Sequence, residues 1–299
     1  MFRSAHFRLH LIVFLWGFTA ILGKLIQANA EVLVFYRMLF SSVFLYVFIR
    51  FIKKDSIKVS KLMLLKLVGV GSLMAFHWLF FFSSIKVSNV AIALSCLGTS
   101  TLFAALLEPL IFKRKIDLSE IIMGVVIVIC ISLIFKVEFH YKLGIIYGLI
   151  CAFLGTVFSV YNGKLYGKTS SGNIIFYEIF GGWFVISLYY VFSGQISQIS
   201  EISYRDLALL TILAGVFTAF PMFESVNMMK YISPFTLILT VNLEPIYGII
   251  LAFFIFGESE KMSAVFYGAS LVMVLAIVVN GVVKARNKSK EKVLEKAQD

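Results

Sequence analysis

The feature that most constrains this chain is a series of ten apolar stretches, each close to the length needed to cross a lipid bilayer. A helix needs about 20 residues to span the hydrocarbon core. The breaks between the stretches are short and polar, and none has the length of a soluble domain. Period-two alternation is missing, so the stretches are predicted to be helices rather than barrel strands. They cover residues 8–27, 31–52, 67–85, 90–112, 118–136, 143–163, 173–192, 206–228, 234–256 and 262–283.

Composition supports an integral membrane protein. The chain is 60% hydrophobic and 14% charged, with a mean hydropathy of +0.95. Soluble domains carry about 45–50% apolar and about 25% charged residues. The sequence therefore predicts an all-α integral membrane protein with ten transmembrane helices.

The charge of +11 is distributed asymmetrically along the chain. If the N-terminus is cytoplasmic, 20 Lys and Arg residues fall on the cytoplasmic side and 5 on the other. This asymmetry follows the positive-inside rule and predicts that both termini are cytoplasmic, in a bacterial cytoplasmic (inner) membrane. The basic charge then reflects topology rather than nucleic-acid binding, and the tail at 285–299 faces lipid headgroups or water.

An internal repeat appears when the second half is shifted by 144 positions. Gly71 and Ala75 then fall on Gly215 and Ala219, and the same register continues through three helices. Each copy holds five spans, an odd number, so the two copies have opposite orientations in the membrane. The sequence predicts two inverted five-helix repeats, residues 1–137 and 138–284, an architecture that recurs in secondary transporters.

Motif residues recur along most of the chain: Trp16-Gly17 and Lys24 in the first span, Arg37 in the second, and Pro245, Gly257-Glu258 and Gly268 across the last two. With the 5+5 arrangement, this pattern resembles the EamA-domain family of the drug/metabolite transporter superfamily. The first repeat departs from the pattern, with Thr101 at the Pro245 position and Lys113 at the Gly257 position.

The resemblance implies a secondary transporter, because similar family members export or exchange amino acids, metabolites or sugar derivatives. A small-molecule substrate and membrane lipid are the expected partners, with protons as a candidate coupling ion and no nucleic acid. The "GIIYG" segment at 144–148 has small-xxx-small spacing suited to close helix contact or dimerisation. The expected state is a monomer or a weak homodimer.

The pair Glu244-Pro245 is the local feature with the highest free-energy cost of insertion into a membrane. A charge at bilayer depth costs about 2.5–3.5 kcal/mol on insertion scales, and proline removes a backbone hydrogen bond. We expect Glu244 to face a cavity or a buried partner; a purely structural hydrogen bond is the alternative. Pro245 and Pro221 are predicted hinges. The remaining predicted substrate-binding residues are Asn242, Trp16, His77, Trp78, Ser100, Thr101 and Glu224, of which Glu224 lies close to the inner end of its span.

Other charges in the spans have simpler interpretations. Lys24 and Arg37 lie near span ends, where long side chains reach the interface, and Arg37 is also a candidate partner for Glu31. Glu178 and Glu108 are expected to form structural ion pairs with Lys168 and with Lys113.

Three other function classes are an enzyme, a receptor or scaffold, and an uptake permease. An enzyme is not expected, because no paired acids, metal-ligand cluster or nucleophile with a base is evident. No cofactor or metal is predicted, and there is no nucleotide-binding loop. A receptor or scaffold without transport and an uptake permease for a sugar or nucleotide derivative are the alternatives, and solute flux distinguishes them.

Overall fold

A computed structural model of the protein describes residues 5–113, 115, 118–228, 240–241 and 243–298, with side chains from Phe7 to Val283. Every regular element within these residues is helical. The elements of the first half are α1 (Ala5–Leu25), α2 (Ala30–Val47, continued by a π-helix, Phe48–Ile52), α3 (Lys61–Val87), α4 (Val90–Leu97), α5 (Ser100–Phe112) and α6 (Leu118–Val137). This all-α architecture agrees with the fold class that the sequence predicts.

The second half begins with α7 (Lys142–Leu165), α8 (Ser171–Ser193) and the short α9 (Ser197–Ser200). Next comes α10 (Tyr204–Ala214), which passes through a π-helix (Gly215–Ala219) into α11 (Phe220–Met228). The last two helices are α12 (Glu244–Phe256) and α13 (Ala264–Gln298).

Nine helical segments in the described part of the chain are long and apolar enough to cross a membrane. The predicted span 234–256 lies partly outside the described residues. Its described part consists of helical Thr240 and Val241, a turn at Leu243, and the 13 residues of α12. The count of ten spans therefore stays a prediction.

Helix α1 links two opposite faces of the bundle. At its C-terminal end, which we call face 1, Lys24 Nζ pairs with Glu260 Oε1 at 2.7 Å. The backbone N–H of Gln27 donates to both carboxylate oxygens of Asp206 at the start of α10. Face 1 therefore joins the end of α1, the start of α10 and the turn after α12.

The N-terminal end of α1 lies at the opposite side, face 2. Arg8 pairs there with Glu224 of α11. Leu9 and Ile12 pack against Met228 in one apolar cluster. Since the turn after α12 is at face 1 and the end of α11 is at face 2, residues 228 and 257 lie on opposite sides of the bundle.

Two helices start inside predicted spans, 144 positions apart. Helix α4 ends at Leu97, and α5 restarts at Ser100 after a turn at Gly98 and Thr99. Both α5 and α12 have 13 residues, and both are followed by a residue with positive φ, 55° at Lys113 and 57° at Gly257. Their first and last residues match under the shift that aligns the two halves in sequence.

Close helix contacts use glycine. A Cβ on Gly71 of α3 would lie 2.0 Å from the carbonyl oxygen of Glu178 on α8, so the two backbones touch there. Within "GIIYG", Gly144 faces Ser88 and Gly148 faces Cys96 of the same chain. These glycines therefore allow close helix contact inside the bundle, which is one of the two roles that the sequence predicted for the motif.

The outside of the bundle is strongly apolar. Large side chains stand out on several helices, including Leu110 at 75%, Phe254 at 80% and Phe192 at 84% exposure. Such a surface has no stable place in water and suits contact with lipid tails. Buried polar side chains are instead found within the bundle, where helices meet.

Candidate functional site

Arg37 is a buried cation inside the helical bundle. It lies seven residues into the Ala30–Ile52 span and is 2% exposed. Its guanidinium carbon lies 3.8 Å from the centroid of the Trp78 ring on α3. Its Nη1 atom has no hydrogen-bond partner among the described residues. The predicted snorkelling and the predicted pair with Glu31 are therefore both wrong for Arg37, because the side chain points into the bundle.

Thr218 holds the other side of the guanidinium. Arg37 Nε donates to Thr218 Oγ1 at 2.9 Å, and that hydroxyl donates in turn to the carbonyl oxygen of Leu213 at 2.7 Å. The Leu213 carbonyl lies five residues back, within the stretch where the helix widens into the π-helix Gly215–Ala219. π-Bulges are rare in helices and frequent at functional sites.

Glu244 supplies the opposite charge. It is the first residue of α12, where the chain restarts after the turn at Leu243. Its carboxylate interacts electrostatically with Arg37, although the two form no direct ion pair. It also lies near Cys151 of α7. Glu244 is thus within electrostatic reach of Arg37 on α2 and of Cys151 on α7.

Of the predicted site residues, Trp78 contacts Arg37 directly and Glu244 interacts with it electrostatically, whereas the hydrogen bond of His77 is made to α7. His77 Nδ1 bonds the carbonyl oxygen of Cys151 at 2.8 Å, and its ring packs edge-on against Phe158. Both partners belong to α7. His77 still lies close enough to Arg37 for their charges to interact. Its hydrogen bond orients α3 on α7.

Trp16 joins a separate apolar cluster. It packs, half-buried, with residues of α1 and α11 and with Val241, Leu243 and Tyr247. It therefore borders the turn that precedes Glu244, on the side toward face 2. This position places Trp16 beside the site rather than at the two charges.

Ser100 and Thr101 form the first turn of α5, at the break that matches the start of α12. Both are half-buried. The Thr101 hydroxyl donates to the Gly98 carbonyl at 2.7 Å, and Thr156 of α7 donates to the Ser100 carbonyl at 3.3 Å. These bonds fix the turn at Gly98 and tie the start of α5 to α7.

Glu224 lies at face 2 rather than with the two charges. It is paired with Arg8, and Asn227 Nδ2 donates to it at 3.2 Å. A carboxylate held by an arginine and an amide is well satisfied, so this arrangement closes one end of the bundle. The sequence did not reveal that Glu224 pairs with Arg8, because the two residues lie 216 positions apart.

The two predicted hinge prolines both stand next to irregular backbone. Pro245 occupies the first turn of α12, a position that proline tolerates because its missing N–H has no helical partner there. Pro221 directly follows the π-helix, as the second residue of α11. Asn242 lies outside the described residues. Pro245 thus starts a helix instead of kinking the interior of one.

Two other charged residues depart from expectation. Lys24 does not point freely to the interface but pairs with Glu260. Glu178 is fully buried, and its partner is Asn162, whose Nδ2 donates at 3.0 Å, rather than the exposed Lys168. The expected pair of Glu108 with Lys113 stays a prediction. Within the described part of the chain, no group of His, Cys, Asp and Glu side chains is placed to hold a metal ion.

An apolar exterior, nine membrane-length helices in the described part of the chain and a buried cation define a multi-pass helical membrane protein. Residues 4–136 match the model of the EamA-like transporter family. Over these residues the chain is similar to that family, which is part of the drug/metabolite transporter superfamily.

Two further comparisons concern the whole chain. A solved structure described as "Crystal structure of protein" is similar with a TM-score of 0.67 and 12% sequence identity, covering 96% of this chain and 100% of that chain. At this identity the similarity shows the fold alone. Comparison with curated proteins finds no match.

Proposed function

We propose that the protein is a secondary transporter, an exporter or exchanger, of a small metabolite such as an amino acid. The observation that carries the proposal is the buried cation Arg37, with which the carboxylate of Glu244 at the start of α12 interacts electrostatically. Charged groups within membrane spans are expensive and typically belong to substrate or ion pathways. The family match over residues 4–136 supports the same conclusion.

The mechanism we propose is alternating access between two inverted five-helix repeats, residues 1–137 and 138–284. The matching helix breaks at Ser100 and Glu244, 144 positions apart, support this arrangement. So does the position of Met228 and Gly257 at opposite faces, which ten crossings would require. Discontinuous helices that meet near the middle of the membrane are typical of transporter binding sites.

The ion pairs at the two faces suit such a mechanism. Arg8–Glu224 holds α1 to α11 at face 2, and Lys24–Glu260 holds α1 to the turn after α12 at face 1. Opening to either side would break one pair while the other stays closed. Pro221 and Pro245, next to irregular backbone, are the proposed hinges.

The positive-inside bias supports a cytoplasmic face 2, with both termini in the cytoplasm of a bacterial cell. Glu244 is the proposed site of proton coupling. Its titratable or charged neighbours are Arg37 on α2 and Cys151 on α7. Residues Trp16, Ser100, Thr101 and Asn242 are proposed to border the substrate path.

Counterflow in proteoliposomes tests the proposal. Vesicles preloaded with one unlabelled solute take up the same labelled solute only if a carrier exchanges it. We expect counterflow for at least one amino acid, and none in vesicles without protein. Absence of counterflow and of net flux across amino acids, sugars and nucleotides would contradict the proposal and favour a receptor or scaffold. Net uptake of a sugar or nucleotide derivative alone would favour the permease.

A further inference from the structure

We propose that Arg37 binds the carboxylate of the transported solute and Glu244 its ammonium group, so that the solute is a zwitterionic amino acid. This inference rests on the transport function proposed above and assigns the chemistry of its substrate. Arg37 did not figure among the sequence-predicted binding residues, and only its position in the bundle reveals it.

The guanidinium of Arg37 is held as a receptor for an anion. Its Nε donates a hydrogen bond to Thr218. Its guanidinium lies over the indole ring of Trp78, and the Phe82 ring is 5.4 Å away. The Nη1 atom keeps its hydrogens without an acceptor, although the residue is 2% exposed. A buried donor of a charged group is rarely left unmatched, because the loss of hydration is costly. Carboxylates match the fork of a guanidinium with two parallel hydrogen bonds.

The position of Glu244 selects the second group of the solute. Its charge acts on Arg37 from a distance greater than that of a direct ion pair. A structural pair would be in direct contact, as Arg8–Glu224 and Lys24–Glu260 are. Arg37 and Glu244 therefore form no direct structural pair with each other, and a ligand that carries both charges would complement both side chains.

Charge balance argues against a solute with a single charge. The site holds one positive and one negative group, so a zwitterion compensates both and adds no net charge. A simple amine would leave Arg37 without an anion, and a simple carboxylic acid would leave Glu244 without a cation. Either would leave an uncompensated charge in a medium of low dielectric constant.

The side chain of Arg37 and the backbone at Glu244 are each restrained by a neighbouring residue. The Thr218 hydroxyl donates to Leu213, so only its lone pairs face Arg37 Nε. Glu244 begins α12 next to Pro245, whose fixed φ limits the backbone at that point. The receptor for the carboxylate thus lies on α2 and the receptor for the ammonium on α12.

The first test needs only the wild-type protein. Each of the twenty amino acids is tested for thermal stabilisation of the purified protein, and the amino acid that stabilises most is radiolabelled. It is then displaced by itself, by its decarboxylated amine and by its deaminated acid. We expect each single-group analogue to bind at least about tenfold more weakly, the typical loss when a charged group loses its partner.

The second test changes the receptor. Arg37→Gln should lower the affinity for the labelled amino acid at least about tenfold, and Arg37→Lys should restore part of the loss because it keeps the charge. Arg50→Gln is the matched control, since Arg50 lies exposed on the same span. It should leave the affinity unchanged.

The outcomes separate this inference from the proposed function. An amine or acid that binds as well as the amino acid, or an unchanged affinity of a folded Arg37→Gln variant, overturns the inference. Carrier activity with a sugar or nucleotide but with no zwitterion also overturns it, while transport itself stands. Absence of flux for every solute contradicts both. If Arg37→Gln does not fold, the comparison of analogues on the wild-type protein decides.

Discussion

Lys24 Nζ lies 2.7 Å from Glu260 Oε1, joining the C-terminal end of α1 to the turn after α12. Glu260 does more than neutralise this lysine. Its carboxylate also accepts from the backbone N–H groups of Val90 and Ala91, at 3.1 and 3.0 Å, in the first turn of α4. One carboxylate that is 1% exposed therefore fixes three segments at face 1.

This arrangement predicts that Glu260→Ala destabilises the protein, by about 2–5 kcal/mol. The change removes the acceptor of two backbone donors and leaves Lys24 without its partner. Chemical unfolding in detergent measures the loss. Glu258→Ala, in the same turn, is the control, because the Glu258 side chain is 83% exposed and pairs with the exposed Lys261 at 3.1 Å. An equal effect of the two substitutions would contradict the role given to Glu260.

A second prediction concerns the contact between α3 and α8. Gly71→Ala should destabilise by about 1–3 kcal/mol or more, because the added Cβ meets backbone atoms that cannot rotate away. Gly69→Ala on the same helix meets nothing within 4 Å and should be neutral or stabilise by up to about 1 kcal/mol through helix propensity. Thermal unfolding of the two variants side by side checks the prediction. A tolerated Gly71→Ala would mean that the two helices do not touch there.

Topology provides a third prediction. A cysteine at exposed Ser259 should react with a membrane-impermeant thiol reagent from outside the cell, and one at Lys115 only from the cytoplasm. The three natural cysteines are buried, so background labelling should be low. Labelling of both positions from the same side would contradict the proposed ten crossings.

The bounds of the membrane-length helices along the chain could be predicted well from the sequence, because apolar length is a local property. The predicted stretch at 118–136 differs by one residue from α6, and the one at 90–112 has the bounds of the α4–α5 pair. The break inside that pair escaped prediction, since a helical turn at Gly98 and Thr99 leaves the hydropathy unchanged. The break at Glu244 had a signal in Pro245, yet the sequence predicted a bend rather than a new helix start.

The partners of the buried charges could not be predicted, because they depend on how each helix is rotated against its neighbours. The distance of Arg37 from the end of its span predicted an interfacial position. Its hydrogen-bond acceptor, Thr218, lies 181 positions away in the sequence. Trp78 was already a predicted site residue, and its flat ring is a surface on which a guanidinium can stack. It was the sequence signal for the position of Arg37. His77, next to it in sequence, faces α7, about a quarter-turn away on the helix.

Thr218 allows a fourth prediction, for a residue that positions Arg37 rather than touching solute. Thr218→Val removes the acceptor of Arg37 Nε while keeping the shape, so amino acid affinity should fall several-fold. Thr218→Ser keeps the hydroxyl and should restore it. The discriminating readout is the ratio of affinities for the amino acid and its decarboxylated amine, which should shrink in Thr218→Val alone. A parallel loss for both ligands would indicate a general packing defect.

The most direct measurement for the proposed function is solute flux through Glu244→Gln in proteoliposomes, measured across a range of external pH. Glutamine has nearly the same shape but carries no charge and takes up no proton. We expect a folded protein that has lost flux or the pH dependence of flux, while Glu258→Gln, exposed in the turn after the same helix, behaves as the wild type. Unchanged flux with unchanged pH dependence in Glu244→Gln would contradict the account and make Glu244 a purely structural residue.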